Sequence, residues 1–181
     1  MSPTGSADPA AFRGLVLLGL PGAGKSTVAP LVAAELGWAC VDLDRAIEAA
    51  AGCSVAEIFE TQGEAFFRAW ERRVTAHCLA DAAGPMVLAP GAGWIEDPTH
   101  QRLLGRGLIG VHLQVDPAVA AARLVGATER RPLLGGGDPV RQISSLLARR
   151  NSLYLHANHT VSVDSMTPDE VAAIIVALAS G

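Results

Sequence analysis

Lysine is all but missing from this chain. Of its 14 basic residues only Lys25 is a lysine; the other 13 are arginines. Arginine serves here wherever a general positive charge will do, so Lys25 marks a place where it will not. The three cysteines, Cys40, Cys53 and Cys78, form no C-x-x-C pair and leave an odd one over. That excludes a disulfide framework or a zinc site as the organising feature and fits a reducing compartment. Charge of one sign is not in excess either: a net charge of -4 over 181 residues offers nothing for nucleic acid to bind. No apolar run is long enough to span a bilayer. The opening "MSPTGSADPAAFRG" lacks the apolar core of a secretory signal. The expectation is a cytoplasmic monomer without nucleic-acid or membrane partners. Residues 1–13 are expected to be a disordered lead-in, and 14–181 one domain.

What is present alternates. Apolar runs at 15–20 (LVLLGL), 39–43 (ACVDL), 86–89 (MVLA), 108–115 (LIGVHLQV) and 160–163 (TVSV) read as strands. Between them lie helical segments. One runs from about Lys25 to Leu36 and another begins near Asp44. A capping box at Ser54-Val-Ala-Glu57 opens a short one. A long one follows Gly63, with Phe67, Trp70, Val74 and Leu79 inward. Asp116-Pro117 and Thr167-Pro168-Asp169-Glu170 open two more. This alternation predicts an α/β fold: a central parallel five-stranded sheet with helices on both faces, in three layers. The stretch "GATERRPLLGGGD" (126–138) is glycine-rich and weakly periodic, with two adjacent arginines, and is expected to be a mobile lid.

The chemistry starts at "GLPGAGKST" (19–27), which has the form G-x-x-x-x-G-K-[ST] between a strand and a helix. Glycines there let backbone N–H groups turn inward around phosphate oxygens, and the helix N-terminus adds positive potential. Gly22, Ala23, Gly24, Lys25, Ser26 and Thr27 are the nucleotide-binding residues. Lys25 reaches the β- and γ-phosphates as a compact ammonium, where a planar guanidinium would not fit, and Ser26 offers a hydroxyl to Mg²⁺. No acidic run ends the third strand. The acids lie in "DLD" at the end of the second, where Asp42 and Asp44 would point the same way from an extended backbone. One could hold Mg²⁺ through water while the other takes a proton from a hydroxyl; Asp44 could also serve as a helix cap.

Together "GLPGAGKST", "DLD" (42–44), "GEAFFR" (63–68), "RRPLL" (130–134) and "RRNSLY" (149–154) resemble shikimate kinase, from about Leu15 to Leu178. The resemblance implies a P-loop kinase fold and transfer of phosphate from ATP, with Mg²⁺, to the 3-hydroxyl of shikimate. It places Asp42 with Ser26 in the magnesium shell and makes Asp44 the candidate base. Arg68 and Arg150 become a clamp on the acceptor carboxylate, Arg131 comes in on the lid toward the transferring phosphate, and Arg123 lies against adenine. Glu71, one helical turn after Arg68, would orient it. Catalysis then rests on Lys25, Asp44 and Arg131. Two alternatives stay open: a related kinase for another small hydroxylated carboxylate or cyclitol, and a non-catalytic ligand sensor.

The sequence departs from the family at "VLAPGAGWIED" (87–97). Three glycines are usual after the third strand, where backbone N–H groups meet the acceptor. Here Gly91, Ala92 and Gly93 stand there, followed by Trp94. The expectation is that Gly91 and Gly93 still serve the acceptor while Ala92 and Trp94 narrow its pocket; the alternative for Trp94 is that it packs back into the core.

Overall fold

The computed structural model describes residues 12–125 and 138–180. The segment 126–137, which contains Arg131 and all but the last residue of the expected lid, lies outside the described residues. So does the lead-in through Ala11.

Five parallel strands form the sheet: β1 (Gly14–Leu18), β2 (Ala39–Asp42), β3 (Met86–Ala89), β4 (Leu108–Gln114) and β5 (His159–Ser162), in the order β2-β3-β1-β4-β5. Eight α-helices join them among the described residues: α1 (Lys25–Leu36), α2 (Leu43–Ala51), α3 (Val55–Thr61), α4 (Glu64–Asp81), α5 (Pro98–Gln101), α6 (Pro117–Val125), α7 (Pro139–Tyr154) and α8 (Pro168–Ser180). A 3₁₀ turn, Trp94–Glu96, follows β3.

The continuous apolar run of β1 is what a strand covered on both faces requires. Leu15 and Leu17 pack with Val28, Ile143 and Ile175 of α1, α7 and α8. Val16 and Leu18 face the other way, with Ile47, Ile58, Phe67 and Trp94. Two apolar cores on opposite faces of one sheet give the expected three layers. Phe12 and Arg13, counted with the lead-in, are tied down: the Phe12 ring meets Trp38 edge-on and Arg13 Nη1 donates to Leu79 O.

Helix starts follow local chemistry. Ser54 and Glu57 form the reciprocal capping box, and Thr167 and Glu170 form another. Asp138 caps α7 through Val140 N. Helix α1 runs against a local rule, since Pro30 sits inside it. Proline has no N–H to give to Ser26 O one turn back, so that carbonyl lacks its helical donor. The residue is exposed, and packing of Val28, Ala29, Val32 and Ala33 against the sheet carries the helix through.

Register positions the site. Val16 pairs with Leu88, Val41 with Leu88 and Asp42 with Ala89. The carboxyl ends of β1, β2 and β3 are therefore level, and the loops leaving them open side by side, where ligands bind in open α/β sheets. The expected strands at 15–20 and 39–43 were drawn long: Gly19 and Leu20 already belong to the glycine loop, and Leu43 to α2.

Candidate functional site

The glycine loop between β1 and α1 has the geometry its motif predicts. Gly22 and Gly24 have φ of 82° and 94°, which L side chains rarely adopt. A Cβ on Gly22 would also overlap Ala120 O of α6. Lys25, the first residue of α1, is only 7% exposed. Its Nζ donates to Gly19 O at 2.9 Å and Leu20 O at 3.1 Å, at the foot of the loop. Gly22 to Thr27 form one wall of a cleft of about 830 Å³. Asp42, Asp44, Arg68, Gly91, Ala92, Gly93 and Arg123 line it too.

The two acids are not arranged as an extended strand end would place them. Strand β2 stops at Asp42, which is the N-cap of α2; its Oδ1 accepts from Arg45 N at 3.2 Å. Asp44 lies in the first helical turn. An aspartate so close to a strand end is well suited to cap a helix, and the helix begins one residue sooner than the alternation suggested. The capping role falls to Asp42 rather than Asp44, and both carboxylates still face the cleft.

At the other end of the cleft Arg68 is already held by carboxylates. Its Nη1 bonds Glu71 Oε2 at 2.8 Å and its Nη2 bonds Glu64 Oε1 at 3.0 Å. Glu71 is fully buried, and burial, with Asp44 and Asp97 nearby, pushes its carboxyl up to about 7 against the opposing pull of Arg68. The loop glycines are there for space, not for unusual dihedrals. Gly93 has φ of -87°, and no described residue other than glycine has positive φ, so Ala92 is unstrained. A Cβ on Gly93 would overlap Arg68 Nη2 and come within 2.8 Å of Cζ. A Cβ on Gly91 would stand 3.2 Å from Asp44 Oδ1.

Trp94 does not narrow the cleft. It is fully buried, its Nε1 donates to Thr75 Oγ1 at 3.1 Å, and its ring stacks on His100 with centroids 4.4 Å apart. His100 Nδ1 in turn donates to Trp94 O at 2.9 Å, and burial lowers the pKa of the ring. The indole is the anchor of the loop: an amphipathic ring with one N–H settles in an apolar core when that core supplies one acceptor, and Thr75 does.

The remaining arginines part company. Arg123 lines the cleft, and its Nη2 bonds Val163 O at 2.7 Å, beside the end of β5. Arg150 is 2% exposed and does not line the cleft; its Nε is paired with Glu96 Oε1 at 2.7 Å. Arg131 lies outside the described residues. Two residues that no motif signalled belong to this region. One is Glu96. The other is His112, stacked on Tyr154 at 4.2 Å, its pKa driven down to about 4 by burial and by the charge of Lys25.

Comparison with known proteins agrees with this geometry. A family model described as shikimate kinase matches residues 21–179. The shikimate kinase of Thermobifida fusca is 42% identical over 161 residues, 88% of this chain and 91% of that protein. That of Parasynechococcus marenigrum is 40% identical over 169 residues, 92% of this chain and 85% of that protein. A solved shikimate kinase from Acinetobacter baumannii, in complex with shikimate, has a TM-score of 0.86 at 30% identity, covering 94% of each chain.

Three outcomes follow from this geometry. Trp94→Ala should lower unfolding free energy in denaturant by about 3–5 kcal/mol, the usual cost of emptying a buried aromatic site, without widening the range of acceptors used. Gly93→Ala should keep the fold and displace the Arg68 guanidinium; an acceptor KM raised about tenfold or more in steady-state kinetics is expected, about 1.4 kcal/mol. Glu71 holds its proton in the folded protein up to about pH 7, whereas the unfolded chain releases it near the usual 4.5. Wild type should therefore lose stability relative to Glu71→Gln as pH rises from about 4.5 to 7, by at most about 1.4 kcal/mol per unit, and the gap should level off above that window. Urea unfolding of both proteins across that range measures it.

Proposed function

The chain belongs to the shikimate kinase family, and on that premise we propose that it transfers the γ-phosphoryl group of ATP to the 3-hydroxyl of shikimate. The products are shikimate 3-phosphate and ADP. The observation that carries the reading is that one cleft joins a phosphate-binding loop, Gly22 to Thr27, to an aspartate and a carboxylate-held arginine, Asp44 and Arg68. A nucleotide triphosphate suits the first end and a small hydroxylated acid the second.

In the transfer, the acceptor oxygen forms a bond to the γ-phosphorus as the bond from that phosphorus to the β–γ bridging oxygen breaks. The hydroxyl proton goes to Asp44, the carboxylate beside Gly91. Backbone N–H groups of the loop and the Lys25 ammonium hold the phosphates and offset the charge that builds on the leaving ADP. Ser26 and Asp42 offer only oxygen donors, the set a hard divalent cation takes, so these residues would hold Mg²⁺, Asp42 through water. Bound there, the ion neutralises phosphate charge. Arg68 binds the acceptor carboxylate with the donors that Glu71 and Glu64 leave over; Arg150, although it is not among the residues lining the cleft, is read as the second arm of that clamp on the family resemblance. Gly91, Ala92 and Gly93 line the acceptor side. Arg123 lies along the nucleotide base, and Arg131, on sequence grounds, meets the transferring phosphate. The enzyme is read as a cytoplasmic monomer. No helix among the described residues is long and apolar enough to cross a membrane.

A coupled assay of ADP release, run with shikimate, with other hydroxylated acids and cyclitols, and with no acceptor, tests the activity. Turnover that depends on shikimate supports it. Nucleotide binding without any acceptor-dependent ADP release would make the protein a sensor instead. Asp44→Asn keeps the shape of the side chain and removes the proton acceptor. It should lower kcat by about 10²-fold or more while the dissociation constant for ATP stays within about threefold. The opposite pattern would put Asp44 on the nucleotide side.

A further inference from the structure

The tail of the acceptor loop has work that neither its glycines nor its tryptophan account for. The 3₁₀ turn Trp94–Glu96 is held by three contacts. Trp94 Nε1 bonds Thr75 Oγ1, Trp94 O accepts from His100 Nδ1, and Gln101 Nε2 donates to Ile95 O at 2.8 Å. Glu96 closes the turn, its amide bonded to Gly93 O at 2.9 Å. From that fixed base its side chain crosses to α7 and takes Arg150 Nε at 2.7 Å. Arg150 is almost wholly buried, while the Glu96 side chain keeps 35% of its surface exposed. Arg150 Nη1 is buried and has no hydrogen-bond partner among the described residues. The neighbouring Tyr154 phenol interacts with the guanidinium but, pushed up to about 12 by burial, brings it no negative charge.

A guanidinium presents five N–H donors in a fixed plane. Committing Nε to Glu96 sets that plane and leaves the Nη groups without a carboxylate, Nη1 without any hydrogen bond. A buried donor without an acceptor is costly, more so when charged, so an arriving carboxylate oxygen is favoured there. Arg68 shows the same design, held by Glu71 and Glu64 with part of its fork left over.

We propose that Glu96 is a positioning residue for the acceptor's carboxylate: by holding Arg150 through Nε, it makes the Nη edge of that guanidinium the face the ligand meets. The inference rests on the shikimate-phosphorylating reading and on Arg150 as an arm of the clamp. A Glu96 that merely competed with the ligand for Arg150 would act in the opposite sense, so the sign of one measurement decides.

Glu96→Ala and Glu96→Gln are compared with wild type by kinetics with shikimate varied at saturating ATP, by thermal unfolding, and by NMR exchange of the Arg150 Nε–H. Glu96→Ala should raise the KM for shikimate about tenfold or more, with kcat within about twofold and the KM for ATP unchanged. Glu96→Gln keeps an oxygen for Nε and should recover most of the loss. In an Arg150→Met background Glu96→Ala should add nothing. Should Glu96→Ala fail to fold, Glu96→Asp, one methylene short of the contact, carries the same expectation. A shikimate KM that is unchanged or lower in a folded variant overturns the proposal, as does an equal effect without Arg150. A wild type that binds ATP but turns over no shikimate would instead sink the functional reading. Glu96 is then judged by the Nε–H exchange, slow in wild type and Glu96→Gln and fast in Glu96→Ala, and equal rates in all three overturn it.

Discussion

Parallel pairing of β1 with β3, and of β3 with β2, is the constraint on which the site depends. Because Val16 and Val41 both pair with Leu88, three strand ends finish at one height. The glycine loop, the Asp42–Asp44 pair and the Gly91–Gly93 loop then open along one rim without any long excursion of the chain. Parallel strands need crossovers, and the crossovers supply the helices whose first turns carry Lys25 and Asp44. Fold and cleft are thus one arrangement: the residues that close the sheet's carboxyl edge are those that line the cleft.

Electrostatics at the acceptor end follows a second rule. The two arginines assigned to an acidic ligand are each engaged by a protein carboxylate: Arg68 by Glu71 and Glu64, and Arg150 by Glu96. A buried guanidinium without a counter-charge would be expensive, and one fully saturated by protein acids would have nothing to offer. Partial engagement fixes each fork and keeps donors in reserve. The steric demand at Gly93 comes from the same design, since the Arg68 fork lies where a Cβ would be.

Much of this was legible in the sequence, and the reasons differ by residue. The strand–loop–helix at 14–36 was readable because glycine, lysine and serine occur there for backbone geometry and charge, which local sequence encodes. Capping boxes at Ser54 and Thr167 were readable for the same reason. The pairing of Arg68 with Glu71 was readable from helical spacing. The start of α2 at Leu43 was not: alternation about Leu43 and a helical first turn look alike over three residues, and Asp42 fits both. Of the two placements open to Trp94, cleft wall or core, the glycine-rich neighbourhood favoured the first and the structure shows the second. Its real partners, Thr75 and His100, come from another helix and from six residues on, and no local pattern pairs them. Glu96 and Arg150 are 54 residues apart and meet only through packing of α7 on the turn. Helix α7 itself went unassigned, its pattern overshadowed by the arginines at its end.

The scarcity of lysine has a consequence for covalent chemistry. The one side-chain amine of this protein lies at the foot of the phosphate loop, 7% exposed and bonded to two carbonyls. Reagents and enzymes that acylate, methylate or conjugate ε-amino groups therefore find no alternative lysine on the surface to absorb them. Any such adduct on an ε-amino group is therefore an adduct at the foot of the glycine loop, in the wall of the cleft.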